Sequence, residues 1–249
     1  MYMIVDCFLF YNELDMLTLH LEELYNVVDK FVLVESTTTF VGNVKPLYFN
    51  ENKDKYSKYL DKIVHVVVED TPKSNNPWFS EKFQRNAIDR GLSQLDLKNG
   101  DVIIIGDVDE ISDSETLANI LKEGLNRPVS LEMDFYYYNF NCRNVEKWYS
   151  TKVIPYTIYK QYPDPENLRR SRCDTIKNGG WHLSYFGTPE FISNKLSNFS
   201  HQEYNNNDHN NTEIIKTRMD NNDDLFGRHD SKFEKVESDY LPKNYRLIS

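Results

Sequence analysis

The chain has 249 residues, 39% of them hydrophobic and 14% aromatic, with a formal net charge of −10 at pH 7. A chain of that length and composition buries a sizeable core, which excludes a disordered protein, and its acidic balance argues against a general nucleic-acid binder or a ligand for anionic membrane surfaces. Cys7, Cys142 and Cys173 form neither a CxxC spacing nor an even set, so neither a zinc site nor a disulfide framework is expected.

The opening "MYMIVDCFLF" carries an apolar run broken by Asp6 and no basic flank. It reads as a first strand over 3–10, not as a signal peptide or membrane span, and the chain is expected to be cytoplasmic with no transmembrane segment. Leu14, Leu17, Leu21, Leu24 and Val28 are spaced three and four apart, the stripe of an amphipathic helix, with Asn12 as its cap and Asp15 in its first turn. "KFVLVES" (30–36) and "DKIVHVVVED" (61–70) predict further strands, the first buried on both faces. A helix is predicted over 79–92, with Ser80 as cap and Gly91 near its end. "DVIIIGD" (101–107) is the next strand. It is followed by a helix over 112–124, where Ser112 and Glu115 form a capping box and Gly124 a stop. Alternation of strand and helix predicts a largely parallel sheet covered by helices, an α/β fold.

The second half is richer in aromatic and β-branched residues. Segments 128–141, 150–162 and 179–187 read as longer strands. A short helix is predicted over 188–199, with Thr188 as cap, Pro189 in its first position and Glu190 at its positive end. "YNNNDHNNT" (204–212) is a polar loop, and "KNYRLIS" at the end is assigned no element.

Asp107 and Asp109 stand at the exit of the 101–107 strand, where open α/β sheets bind ligands. Residues two apart in extended backbone point the same way, so this pair suits a hard divalent cation, Mg²⁺ or Mn²⁺, shared with substrate phosphates. Asp is also common in strand-to-helix turns, where it gains from the helix dipole. An aspartyl phosphotransferase also uses Asp-x-Asp after a strand, but Glu110-Ile111 lacks the hydroxyl residue such enzymes carry beyond it. Glu110 reads as a helix-start residue rather than a third ligand.

Several blocks in one order make the pattern specific. "FLFYNELDMLTLHLEELYNVVDKFVLVESTTTFVG", "EKFQRNAIDRGL", "GDVIIIGDVDEI" and "GGWHLSYFGTPEFISNKLSNFSHQEYN" resemble glycosyltransferase family 17, the family of the bisecting N-acetylglucosaminyltransferases. The resemblance runs from about Asp6 to Tyr245. It implies a GT-A fold: a Rossmann-like, mixed but mostly parallel sheet with a more antiparallel acceptor-side half. The whole of 1–249 would form one domain, its nucleotide half about 1–125 and its acceptor half about 126–249. It also implies inverting transfer of a sugar, N-acetylglucosamine, from UDP-GlcNAc to a glycan acceptor, with a divalent cation at Asp107 and Asp109.

Inverting transfer needs a base for the acceptor hydroxyl. The resemblance points to Glu190, with Asp134 and Glu203 in reserve. The donor would meet Asp107, Arg85 and Asn86, with Arg85 reaching the diphosphate or an Asp of the metal motif. Glu35 would touch uracil or ribose, or cap the 36–42 loop. Trp181 and His182 would face the acceptor, and His201 or His182 would complete the metal site, His201 fitting better because it opens a polar stretch. A non-catalytic sugar-nucleotide-binding protein of the same fold is the rival reading.

Overall fold

The structure, a computed structural model, describes residues 2–248. Its first half follows the alternation in the sequence. β1 (Ile4–Phe10), α1 (Leu14–Leu24), β2 (Lys30–Ser36), the single turn α2 (Tyr48–Glu51), β3 (Ile63–Val68), α3 (Pro77–Asn86), α4 (Ile88–Leu92) and β4 (Val102–Asp107) come in that order. β1 lies between β2 and β4, and β3 flanks β2, all parallel. Side chains alternate across these strands, and both faces are apolar because both are covered. Phe8, Phe31 and Ile104 pack with Leu17 and Leu21 of α1. Val5, Cys7, Val32 and Ile103 pack on the other face with Ala87, Ile88 and Leu92.

The second half comprises β5 (Glu110–Ser112), α5 (Ser114–Glu123), β6 (Val129–Tyr137), β7 (Cys142–Asn144), β8 (Lys152–Pro155), α6 (Tyr156–Tyr159), α7 (Pro165–Arg170), β9 (Asp174–Ser184), α8 (Pro189–Asn198), α9 (Thr212–Asn221) and β10 (Phe233–Lys235). One ten-stranded sheet runs β10-β7-β6-β8-β4-β1-β2-β3, with β9 beside β6 and β5 beside β9. β8 joins the two halves, antiparallel to both β4 and β6. β9 runs parallel to β6, while β7, β10 and β5 pair antiparallel. The fold is the expected mixed α/β sheet, parallel through its first half and more antiparallel in its second. Among the described residues no helix is long and apolar enough to cross a membrane.

Several boundaries move for identifiable reasons. The predicted 79–92 helix starts earlier, at Pro77, because Asn76 accepts from Trp78 N (3.1 Å) and proline suits the first position. Ser80 is therefore interior. Asp113, not Ser112, caps α5, accepting from Thr116 N at 2.7 Å. Ser112 is used differently: its backbone pairs with Gly180 in the β5–β9 ladder. Asn12 caps nothing, and Glu13 instead folds back onto the N–H groups of Tyr11 and Asn12 (3.3 and 3.0 Å). The predicted 150–162 strand shortens to four residues and turns into α6. The 179–187 strand starts earlier, at Asp174. Thr188 caps α8 as expected, accepting from Phe191 N (3.3 Å) with Pro189 in the first position. The unassigned tail packs Tyr245 and Ile248 into a cluster with Met16, Leu19 and Trp181.

Candidate active site

A cavity of about 510 Å³ opens at the carboxyl ends of β1 and β4, where α/β sheets place their ligands and within the range of small-molecule sites. Leu9 and Phe10 from β1, Gln84 and Arg85 from α3, and Asp107 at the end of β4 form one side. Phe135, Tyr137, Trp148, His182 and Tyr185 form an aromatic second side, supplied by the other half of the sheet.

Asp107 is the last residue of β4, and Val108 and Asp109 turn the chain into β5. Asp109 O accepts from Leu183 N (2.7 Å), and Glu110 lies opposite His182. The acidic loop is thus clamped between the parallel strands and β9. It is also held from below: His20 on α1 bonds Val108 O (2.9 Å) through Nδ1 and Asp6 (2.6 Å) through Nε2.

The like charges at this exit are met by cations. Asp107 Oδ1 accepts from Arg85 Nη1 (2.5 Å), and Oδ2 from Arg169 Nη2 (2.7 Å). Burial pushes the Asp107 carboxyl up, but the Arg169 and Arg85 guanidiniums prevail and hold it well below the usual carboxylate range. Asp109 Oδ2 accepts from Lys195 Nζ (3.0 Å), which also pairs with Glu13 (3.2 Å). Burial alone would lower the Lys195 ammonium; the Asp109 and Glu13 charges reverse this and raise it. Asp109 Oδ1 lies 3.7 Å from His182 Nε2, which bonds Ser184 Oγ (2.8 Å). The His182 ring stacks on Phe135 with centroids 4.7 Å apart. Burial lowers His182 against the pull of Asp109 and Glu110, so the imidazole is neutral at pH 7. Glu110 opens no helix. It is buried in β5, where it accepts from Trp148 Nε1 (2.6 Å), Thr151 Oγ1 (2.7 Å) and Arg169.

The family model for glycosyltransferase family 17 matches residues 2–235, a span that contains every residue of this site. The chain belongs to glycosyltransferase family 17. Beta-1,4-mannosyl-glycoprotein 4-beta-N-acetylglucosaminyltransferases of Homo sapiens and Rattus norvegicus are each 27% identical to it over 74% of this chain. Those matches cover 41% and 40% of the two proteins, so the chain spans about two-fifths of the length of the curated relatives it matches. The solved glucosyl-3-phosphoglycerate synthase of M. tuberculosis superposes with a TM-score of 0.38 at 11% identity, over 79% of this chain and 80% of that one.

In this family 17 chain the cavity gathers Arg85, Asp107, Asp109, His182 and His201 from the residues singled out in the sequence. Arg85 is 2% exposed and its donors are committed, Nε to Glu166 (2.8 Å), Nη1 to Asp107 and Nη2 to Glu81 (2.8 Å). It serves an Asp of the acidic motif, one of its two expected roles. Asn86 lies off the cavity wall, where its Oδ1 accepts from Glu166 N (3.0 Å) and ties α7 to α3. Glu35 is fully buried and away from the wall. It accepts from Phe49 N (2.8 Å), Asn50 N (3.3 Å) and His65 Nε2 (3.0 Å), and so fixes the α2 turn instead of the 36–42 loop. Trp181 points away from the cavity because it alternates with His182 along β9; its Nε1 donates to Tyr240 O (3.0 Å) inside the core. His201 stands at the rim, edge-on to Trp78 at 4.5 Å and bonded to Glu203 (2.7 Å), so the imidazole beside Asp109 is that of His182. Glu190 is exposed at the start of α8, outside the wall, and its own N–H and the Thr188 hydroxyl lower its carboxyl. Asp134 is buried against Lys147 and Arg143, also off the wall.

Arg169, Lys195 and Trp148 escaped the sequence reading. One signal was present: "DPENLRR" places Asp164 and Pro165 as a helix start and two arginines at its end.

Proposed function

We propose that the cavity binds a nucleotide-diphospho-sugar, UDP-GlcNAc, and that the chain transfers its N-acetylglucosamine with inversion to a hydroxyl of a glycan acceptor. The observation that carries the reading is the Asp107–Asp109 loop, fixed at the exit of a central parallel strand on the cavity wall, in a family 17 chain. The donor sugar follows the printed activity of the relatives. In the transfer the acceptor oxygen bonds the anomeric carbon as the bond to the diphosphate breaks, and the acceptor proton passes to a carboxylate, Glu190 in this proposal. The aromatic side at Phe135, Tyr137 and Trp148 offers flat apolar faces to sugar rings.

A divalent cation, Mn²⁺ or Mg²⁺, belongs to the same proposal. Among the described residues no three His, Cys, Asp or Glu side chains converge to enclose an ion. Ions of this kind do not need a protein cage, because they take one or two carboxylates and complete their shell with substrate phosphates and water. Asp109 fits that pattern, since its Oδ1 accepts no hydrogen bond among the described residues, while Asp107, whose two oxygens meet Arg85 and Arg169, would act on the ion through water. When bound, the ion would offset the charge of the departing diphosphate.

One observation favours a non-catalytic binding protein instead, namely the place of Glu190 outside the cavity wall. The test is UDP release from UDP-GlcNAc with Mn²⁺, with and without chelator, for the wild type and Glu190→Gln. The proposal expects release that chelation abolishes and that Glu190→Gln lowers by about 10²–10⁴-fold. Tight UDP binding with no turnover of any sugar nucleotide would establish the binding reading. Full activity in Glu190→Gln would pass the base role to a carboxylate of the wall outside the metal motif, such as Glu13.

A further inference from the structure

Five cationic side chains line the cavity: Arg85, Arg169, Arg170, Lys195 and Arg228. Arg85 has each of its nitrogens on a carboxylate. Lys195 is held between Asp109 and Glu13, Arg228 pairs with Asp224, and Arg170 pairs with Glu166 through Nε alone, its other nitrogens on a solvent-exposed side chain. Arg169 differs. Its side chain is 13% exposed and lines the cavity, yet only Nη2 is used, on Asp107 and Glu110. Nε is sealed from solvent with no acceptor among the described residues. Nη1 makes no hydrogen bond among the described residues and is not sealed from solvent, on a side chain that lines the cavity.

A guanidinium is a rigid, planar fork that carries five N–H donors and cannot shed its charge. Leaving its Nε–H buried without an acceptor costs the desolvation of that group. An ordinary structural arginine removes such a cost by finding a second carboxylate or carbonyl, as Arg85 does three times. An arginine that lines a cavity with donors left over is instead prepared for an anionic ligand. The oxygens that guanidiniums match best are those of phosphate and carboxylate. Here Nη2 lies 2.7 Å from Asp107, so an oxyanion bound to the remaining donors would lie beside the acidic loop.

We propose that Arg169 is the protein's own ligand for the donor diphosphate. In the free protein it bridges Asp107 and Glu110; on donor binding Nη1 takes a phosphate oxygen, and a small turn of the guanidinium brings Nε onto the same group. Arg169 would then share with the divalent ion the charge that develops on the leaving diphosphate. The inference rests on the nucleotide-diphospho-sugar reading of the cavity. Its position on α7, rather than on the parallel half that carries Asp107, means that the two sides of the cavity close on the diphosphate together.

The test measures binding of UDP and of uridine, each with Mn²⁺, to the wild type, Arg169→Gln and Arg169→Lys by titration calorimetry. Loss of a charge-assisted hydrogen bond to phosphate should weaken UDP about 10–100-fold in Arg169→Gln and less in Arg169→Lys, with uridine binding unchanged. UDP binding equal to wild type in Arg169→Gln overturns the proposal, and so does an equal loss for UDP and uridine, which marks a structural role. A wild type that binds neither ligand sinks the donor reading and this proposal with it. Should Arg169→Gln fail to fold, phenylglyoxal labelling of Arg169 in the wild type, followed by peptide mass spectrometry, decides the matter. UDP with Mn²⁺ should protect Arg169, and labelling unchanged by UDP refutes the inference.

Discussion

His20 is a buried residue whose two ring nitrogens both meet acceptors, Asp6 at 2.6 Å and the Val108 carbonyl at 2.9 Å. Burial alone would depress its pKa, but the Asp6 charge, the Asp6 hydrogen bond and the Val108 carbonyl together raise it. The imidazolium therefore ties the turn between Asp107 and Asp109 to α1. A raised folded pKa gives stability that is complete below the unfolded histidine value, about 6.5, and that is lost as pH rises through the folded value. His20→Gln should then cost about 3 kcal/mol at pH 6, the range for stranding one partner of a buried pair. Urea unfolding between pH 6 and 9 should show the gap from wild type narrowing as pH rises. A gap that stays constant with pH would mean that the histidine contributes by packing alone, through its ring contact with Phe8 at 4.5 Å.

At the scale of elements, the site depends on β5 lying flat against β9. Gly180 makes that possible: its φ is +134°, and a Cβ there would lie 2.0 Å from Ile111 O and 2.8 Å from Asp113 N. The contacts are backbone atoms, so no rotamer change relieves them. Gly180→Ala is expected to cost at least about 3 kcal/mol and to part the two strands, displacing Asp109 from His182 and Leu183. Thermal unfolding checks the stability. Loss of amide protection at Leu183, whose N–H is bound to Asp109 O, checks the displacement. Helix α8 is set more simply: Thr188 and Pro189 start it, and Lys195, near its end, reaches Asp109 and Glu13 from outside the sheet.

For the molecule as a whole, a net charge of −10 opposes the proposed anionic donor, and the cavity sets Arg85, Arg169 and Lys195 among carboxylates. Those pairs already offset one another, so an incoming diphosphate needs further positive charge, which the divalent ion of the proposed function supplies. UDP and Mn²⁺ should therefore stabilise the folded chain together more than the sum of each alone. Saturation at about 100 times the dissociation constant adds about 2.7 kcal/mol, read as a rise of a few degrees in the unfolding temperature. Additive shifts would break the link between ion and nucleotide. Because β8 joins the parallel half to the antiparallel half within one sheet, the cavity between them is built from both.

The sequence by itself determined what near neighbours determine. Leu17, Leu21 and Leu24 declared a buried helix face, the apolar run at 30–36 declared a strand covered on both sides and that at 101–107 a further strand, and Thr188 with Pro189 declared the start of α8. Asp107 and Asp109 were legible as a strand-exit pair because strand ends and turn chemistry are local. The tertiary structure alone decided which charges meet. Arg169 reaches Asp107 across 62 positions and Lys195 reaches Asp109 across 86, and no local pattern carries such distances. It also decided orientation: Trp181 and His182 are adjacent in the chain, yet β9's pairing with β5 and β6 turns the first into the core and the second onto the cavity. Periodicity, caps and turns act over a few residues, whereas a site's charge partners are set by long-range packing.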